Sequence, residues 1–338
     1  MPRTQRDQID LSIVIPVYRS MAVLPELIAQ LRQVLDNSSY RDRFEVVLAN
    51  DCSPDQSWKV IKELSQQHSF VRGISLRKNV GQHNATMAGL SIARGKINII
   101  MDDDLQHPPA AILRLAQQIE DGFDVCYTRY RERKHVAWKR WGSRFNNWVA
   151  TLMLKKPANL YLSSFKAMKR EIATTILRYD GPYTYIDGLI VGATNSVTAI
   201  DIDHQERFSG EGNYNLRKSL SLWLKMATGS SIYPLRLATI AGFCLAAASF
   251  AFFLYVIIEW LLNPNVQPGW TSVIATVLFI GGVQTFCMGV IGEYIGRIYL
   301  RLNNTPQFVI GQTTFDEEAV GDSAPVRGPT KRSVTRKG

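Results

Sequence analysis

The sequence predicts an α/β domain built on a mostly parallel sheet, followed by an interfacial amphipathic helix and a two-helix transmembrane hairpin. Two observations carry that expectation. Between Leu11 and Met101, short apolar runs alternate with stretches of helical periodicity, the pattern of parallel strands joined by crossover helices. Further on, Leu237 to Ile258 and Thr271 to Gly292 are each 22 residues without a charge, long enough for a helix to cross a hydrocarbon core of about 30 Å. With 46% hydrophobic and 20% charged residues in 338, the composition excludes a disordered, collagenous or disulfide-stapled chain. The mean hydropathy of −0.07 averages over a polar part and an apolar one.

Leu11-Ser-Ile-Val-Ile-Pro16 is a short apolar run ending at a helix-breaking proline, and a helical pattern follows from Val23 to Leu35. Phe44 to Ala49 repeats the theme and runs into Asn50-Asp51-Cys52-Ser53. Ser53-Pro54-Asp55-Gln56 then supplies an N-cap, a proline at the first helical position and a capping-box glutamine. Strands are expected at Val71 to Leu76, Ile97 to Met101 and Asp124 to Tyr127, with a helix from about His83 to Arg94. In such sheets ligands bind beyond the carboxyl ends of the strands, which selects Pro16 to Tyr18, Asp51, Lys78 to Gly81 and Asp102 to Gln106. There is no Gly-x-Gly-x-x-Gly and no Walker loop, so neither a dinucleotide enzyme nor a P-loop NTPase is supported.

The most informative segment is Ile99-Ile-Met-Asp102-Asp103-Asp104-Leu-Gln106-His-Pro108-Pro109. Three carboxylates at a strand end concentrate negative charge that a hard divalent cation neutralises, and Mg²⁺ typically takes one or two carboxylates plus substrate phosphates. Two other readings stay open: a helix start that favours acidic residues, and an acid/base carboxylate pair, which one short loop fits poorly. Arg129, Arg131 and Arg133 form a basic loop suited either to clamping phosphates or to lying on anionic lipid.

Between the apolar runs, 263–270 has no Lys or Arg, whereas Arg236 precedes the first run and Arg297 and Arg301 follow the second. Positive-inside logic therefore puts both termini in the cytoplasm. Leu216, Leu220, Trp223, Leu224 and Ala227 recur at helical spacing beside Arg217, Lys218 and Lys225, as in a helix lying on a membrane surface or an ordinary amphipathic core helix. The expected division is a catalytic domain over 1–212, a membrane-surface helix region over 213–234, two transmembrane helices over 235–300 and a largely disordered tail over 301–338. Four widely spaced cysteines without a Cys-x-x-Cys pair suit a reducing compartment. The polar first ten residues, ahead of an apolar run too short for a signal peptide, place the catalytic part in the cytoplasm. The net charge of +10 comes with no nucleic-acid-binding motif, so no nucleic acid partner is expected.

Ser12-Ile-Val-Ile-Pro-Val-Tyr18, Asn50-Asp-Cys-Ser-Pro-Asp55, Asn79-Val-Gly-Gln-His83 with Met87-Ala-Gly89, and Asp102-x-Asp-Leu-Gln-x-Pro-Pro109 together resemble the motifs of family 2 glycosyltransferases of the GT-A fold. Within that family the chain resembles the polyprenyl-phosphate glycosyltransferases, the group of dolichol-phosphate mannose synthase and the bacterial undecaprenyl-phosphate sugar transferases. The likeness continues through His204-x-x-Arg207-x-x-Gly210-x-x-x-Tyr214, Pro234-Leu-Arg236 and Gly292-Glu-Tyr-Ile-Gly-Arg-Ile-Tyr299, and covers roughly residues 10–310.

The resemblance implies that Pro16, Tyr18, Asp51, Lys78, Asp102 and Asp103 border the nucleotide, and that Asp102, Asp104 and Gln106 hold Mg²⁺ or Mn²⁺ on its diphosphate. Arg207, with Arg129, Arg131 and Arg133, would meet phosphate, and Ser163, Ser164, Lys166 and Tyr214 would lie toward the acceptor. Asp104, Arg207 and Asp187 are the candidate catalytic residues. Ser163-Ser164-Phe165-Lys166 departs from the Gly-Asp-Phe-Arg of many bacterial members, Gly212 from a usual serine, and Asn50 from a common aspartate.

The implied activity is inverting transfer of one sugar from a nucleotide sugar, a UDP-sugar, to a polyprenyl phosphate, undecaprenyl phosphate, at the bacterial inner membrane. Membrane lipid is a further partner, and a homo-oligomer, a separate flippase and a downstream glycosyltransferase are those the role admits. A processive polysaccharide synthase is the alternative, but it needs a Gln-x-x-Arg-Trp motif, and Ala137 stands where the glutamine should precede Arg140-Trp141. A noncatalytic membrane scaffold has no use for the Asp102-x-Asp104-x-Gln106 set.

Overall fold

Leu11–Val17 forms β1, in which every residue is buried, and the sheet is laid out around it. A strand covered on both faces has no reason to alternate, which is why the run is continuously apolar. The computed structural model describes residues 9–130, 161–181, 184–202, 233–262, 269–302 and 306–315. After β1 come α1 (Leu24–Asp36), β2 (Phe44–Asn50), α2 (Ser57–Gln67), β3 (Val71–Leu76), α3 (Gln82–Ile92), β4 (Ile97–Ile100), α4 (Ala111–Glu120) and β5 (Val125–Tyr130). The remaining elements are β6 (Lys166–Lys169), α5 (Arg170–Leu177), α6 (Ile186–Ala193), β7 (Val197–Ile202), α7 (Tyr233–Leu262), α8 (Trp270–Leu302) and β8 (Ile310–Thr313).

The eight strands run in the order β7-β5-β6-β4-β1-β2-β3-β8. β1 pairs in parallel with β2 and β4, β2 with β3, and β5 with β7, while β6 and β8 are antiparallel to their neighbours. The mostly parallel α/β sheet expected from the alternation is therefore present. Ile13 and Ile15 face a core made with Leu27, Ile28 and Leu31 of α1, Ile61 of α2 and Ile112 and Leu115 of α4. Val14 faces the other core, with Met87 of α3, Ile172 and Ile176 of α5 and Ile190 of α6. Gly89 lets α3 lie close on the sheet, since a Cβ there would stand 2.5 Å from Val14 Cγ1.

Three differences from the sequence reading have physical causes. The expected cap at Ser53 does not form. Ser53 Oγ donates to Asp55 Oδ1 at 2.5 Å, the same oxygen accepts from Ser57 N at 3.1 Å, and α2 begins only at Ser57. A carboxylate is the stronger acceptor for a helix-start N–H. Second, β5 extends through Tyr130, so Arg129 sits in a strand and not in a loop; its Nε donates to Asp201 Oδ1 of β7 at 2.6 Å. Third, the region 301–338 contributes β8, which extends the sheet beyond β3.

β8 is held by side chains as well as by its ladder. Trp58 Nε1 donates to Gln312 Oε1 at 2.5 Å, Gly73 N donates to Thr314 Oγ1, and the Phe315 ring lies 4.0 Å under the Arg72 guanidinium. Arg72 is itself buried and reaches Glu45 Oε2 at 3.2 Å, while Glu45 also accepts from Ser12 Oγ, Arg94 N and Arg94 Nε. Upstream, Gln307 Nε2 donates to the carbonyls of Tyr179 and Gly181.

α7 and α8 are 30 and 33 residues long. Among the described residues no helix is long and apolar enough to cross a membrane. The expectation of two spans thus rests on the uncharged runs of the sequence. The membrane-surface helix expected over 213–234 falls almost wholly, and the part of the expected tail beyond residue 315 entirely, outside the described residues.

Candidate active site

The carboxyl ends of β1, β2 and β4 bring three loops together, and each loop turns in the same way. Arg19 after Tyr18, Cys52 after Asp51 and Leu105 after Asp104 have φ of +60°, +49° and +58°. None is glycine, so each left-handed turn costs about 1–3 kcal/mol and must be held by its surroundings.

Asp51 is 3% exposed and accepts from Val80 N at 2.7 Å and Gly81 N at 2.9 Å, so it fixes the loop that carries Lys78 and opens α3. Gly81 has φ of +85° there, a conformation glycine adopts without strain. Tyr18 is largely exposed at the mouth, with the Arg19 guanidinium 5.4 Å from its ring centre. Pro16 lies in β1 beside Ala49 of β2. Asp103 Oδ2 accepts from Ser20 Oγ at 2.5 Å and Tyr18 N at 3.2 Å. Burial pushes its carboxyl up to about 6, against the lowering effect of those two bonds and with the charge of Asp102 adding to the rise.

Asp102 joins three segments. Its Oδ1 accepts from Gln82 Nε2 at 2.6 Å, and its Oδ2 from Ser164 Oγ at 2.6 Å, with His107 Nε2 at 3.2 Å. Burial alone would raise its pKa, but the His107 and Ser164 bonds and the charge of Lys166 hold it below the usual carboxylate range. The His107 ring is buried against Phe165, centroid to centroid 4.8 Å. Asp104 is partly exposed on the same loop, and its Oδ1 accepts from Gln106 N at 3.1 Å.

These donors test the implied divalent cation. Among the described residues no three His, Cys, Asp or Glu side chains converge as a protein-only metal cage. Asp102 has both oxygens engaged by protein donors. Asp104 and Gln106, at a strand end open to substrate, fit a hard cation that completes its oxygen shell with phosphates.

Lys166 of β6 and Asp187 of α6 form a buried ion pair, and Tyr127 Oη donates to the same Asp187 oxygen at 3.0 Å. The Tyr127 hydroxyl is pushed well up by burial and by that carboxylate. Asp187 is 7% exposed, so its geometry is that of a structural ion pair and not of an open base. Ser163 is also turned inward, donating to Phe165 O and lying 2.6 Å from Thr128 Oγ1. Arg131, Arg133, Arg207 and Tyr214 lie outside the described residues.

The strand-end rule placed Tyr18, Asp51 and Asp102 to Asp104 together, but it missed Ser20 and Gln82, which reach the site through contacts distant in sequence, and His107, which turns back on Asp102 from five positions on. It also missed His83, whose ring meets Tyr185 edge-on at 5.5 Å. The Asn-x-Gly-x-His run pointed to that segment without saying what its side chains do.

Residues 12–178 match the family model described as Glycosyl transferase family 2, and residues 233–298 match the one described as GtrB C-terminal hairpin. An undecaprenyl-phosphate 4-deoxy-4-formamido-L-arabinose transferase of Pseudomonas fluorescens is 33% identical over 311 residues, 91% of either chain. The protein of the same name from Shewanella sediminis is 33% identical over 319 residues, 92% of this chain and 94% of that one. Among solved structures, glucosyl-3-phosphoglycerate synthase from Mycobacterium tuberculosis, in complex with Mn²⁺, UDP and phosphoglyceric acid, matches with a TM-score of 0.50 at 15% identity. That likeness covers 66% of this chain and 78% of the synthase and concerns the fold alone.

Proposed function

The chain belongs to the glycosyl transferase family 2, in its polyprenyl-phosphate branch, and on that premise we propose that it transfers one sugar from a UDP-sugar to undecaprenyl phosphate with inversion at the anomeric carbon. The observation that carries this reading is end-to-end similarity to the undecaprenyl-phosphate transferases, hairpin included, in a chain whose strand ends assemble the Asp102–Gln106 loop.

In this account Pro16, Tyr18, Asp51, Lys78 and Asp103 border the nucleotide, with Asp51 keeping the Lys78 loop in place. Asp104 and Gln106 hold Mg²⁺ or Mn²⁺, which would neutralise charge on the departing diphosphate. Asp102 orients that loop through Gln82, His107 and Ser164. Arg207 and the arginines at 131 and 133 face phosphate. Asp187 holds Lys166 and takes no proton from the acceptor, and none needs taking: a phosphomonoester has its second pKa at about 6 and is largely dianionic at pH 7. The protein's work is to bring two anions together in register, by positioning and charge neutralisation.

α7 and α8 are proposed as a membrane hairpin with both termini in the cytoplasm of a bacterial inner membrane. The hairpin match over 233–298, the uncharged runs and the arginines flanking them support it. Membranes carrying the full chain, incubated with labelled UDP-glucose, UDP-galactose, UDP-xylose or UDP-N-acetylglucosamine and a short polyprenyl phosphate, are expected to yield label extractable into organic solvent. Label that stays in the aqueous phase whichever donor is offered would overturn the proposal.

A further inference from the structure

His83 is the second residue of α3, directly after Gln82, whose amide holds Asp102. Its half-buried ring stands edge-on to Tyr185, two residues before the Asp187 that pairs with Lys166. The imidazole therefore lies between the acidic loop and the buried ion pair, within the electrostatic reach of Asp102, Lys166 and Asp187. Among the described residues neither of its ring nitrogens has a hydrogen-bond partner. Its sequence neighbour Asn84 and Tyr185's neighbour Thr184 carry two buried oxygens, Asn84 Oδ1 and Thr184 Oγ1, that also lack a partner. Buried polar atoms normally find one.

The chemistry of the corner selects its ligand. Lys166 is neutralised by Asp187 and Asp102 adds a negative charge, so the described charged groups that act on His83 offer no net positive charge to a phosphate. Burial depresses the His83 pKa, leaving a neutral ring with one N–H donor and one acceptor. A hydroxyl, itself donor and acceptor, is the matching partner. Tyr185 adds an aromatic wall of the kind that packs on a sugar's C–H face.

We propose that His83 contacts the sugar ring of the donor and reads its hydroxyls, which makes it a specificity residue for the transferred sugar. This rests on the nucleotide-sugar reading above. The purified full chain, wild type and with His83→Ala or His83→Gln, is titrated calorimetrically with UDP and assayed for transfer from the four UDP-sugars. His83→Ala is expected to bind UDP like wild type, to raise KM for the preferred donor about tenfold, the weight of one neutral hydrogen bond, and to flatten the preference among sugars. The KM for polyprenyl phosphate should not move. His83→Gln, which keeps a donor and an acceptor, should recover part of the loss and carries the test alone if the alanine variant fails to fold.

Unchanged sugar preference in both variants overturns the inference. A change confined to the acceptor KM overturns it too, and puts the ring on phosphate. Loss of UDP binding in a folded variant overturns it by placing His83 on the nucleotide. A wild-type chain that binds no UDP sinks the donor reading itself, a result distinct from the other three.

Discussion

Asp102 and Asp104 stand two positions apart at the end of β4 and are held in opposite ways. Three protein donors converge on the first, whereas the second sits partly exposed and takes an N–H from its own loop. Asp104→Asn removes the charge of the proposed metal ligand without core volume, so transfer is expected to fall about 10²-fold or more while stability stays within about 0.5 kcal/mol of wild type. Equal activity of the two proteins across a Mn²⁺ titration would refute this. Cys52 is exposed and carries its φ of +49° without glycine's freedom. Cys52→Gly should therefore raise stability, by up to about 1 kcal/mol after the entropy of the unfolded glycine is counted, and a thermal melt with no gain would show that the turn is not strained. At this scale the sequence made the acidic triplet and Asp51 legible, because position at a strand end is a local property. It left Ser164 and His107 unread as partners of Asp102, because Ser164 is 62 positions away and the His107 ring is aimed by Phe165.

Among the elements, β6 and α6 meet through Lys166 and Asp187 across a buried surface. Removing one charge strands the other, so Asp187→Asn should cost about 3–5 kcal/mol. Replacing both in Lys166→Met with Asp187→Leu should restore most of that stability, since a well-packed apolar pair often equals a buried ion pair. Chemical denaturation measures both, and a double variant less stable than Asp187→Asn would show that the pair does more than neutralise itself. β1, β2 and β4 were readable as largely apolar runs because both faces of these strands are covered. β6, with the sequence Lys-Ala-Met-Lys, and β8, Ile-Gly-Gln-Thr, are four residues each, and only their partners make them strands. β7 carried a usable signal, since Val197-Thr-Ala-Ile-Asp-Ile202 alternates in part as a one-sided strand does.

Across the whole molecule, the proposed hairpin places the 263–270 turn on the far side of the membrane from the catalytic sheet. Asn265→Cys in otherwise intact cells should react with a membrane-impermeant thiol reagent, and labelling of that position only after the membrane is opened would reverse the topology. The return of β8 to the edge of β3 has a consequence in time. Gly73 and the Thr314 that accepts its N–H are 241 positions apart, with both long helices between them. At about 5–20 residues per second of synthesis, β3 waits about 10–50 s for its neighbour. During that interval the nascent domain shows an unpaired strand edge, the kind of surface that recruits foreign strands. The hairpin has meanwhile left the ribosome, so the last ladder of the sheet closes on a chain whose helices are already made, and a ribosome stalled inside the second helix leaves a domain with that edge still open.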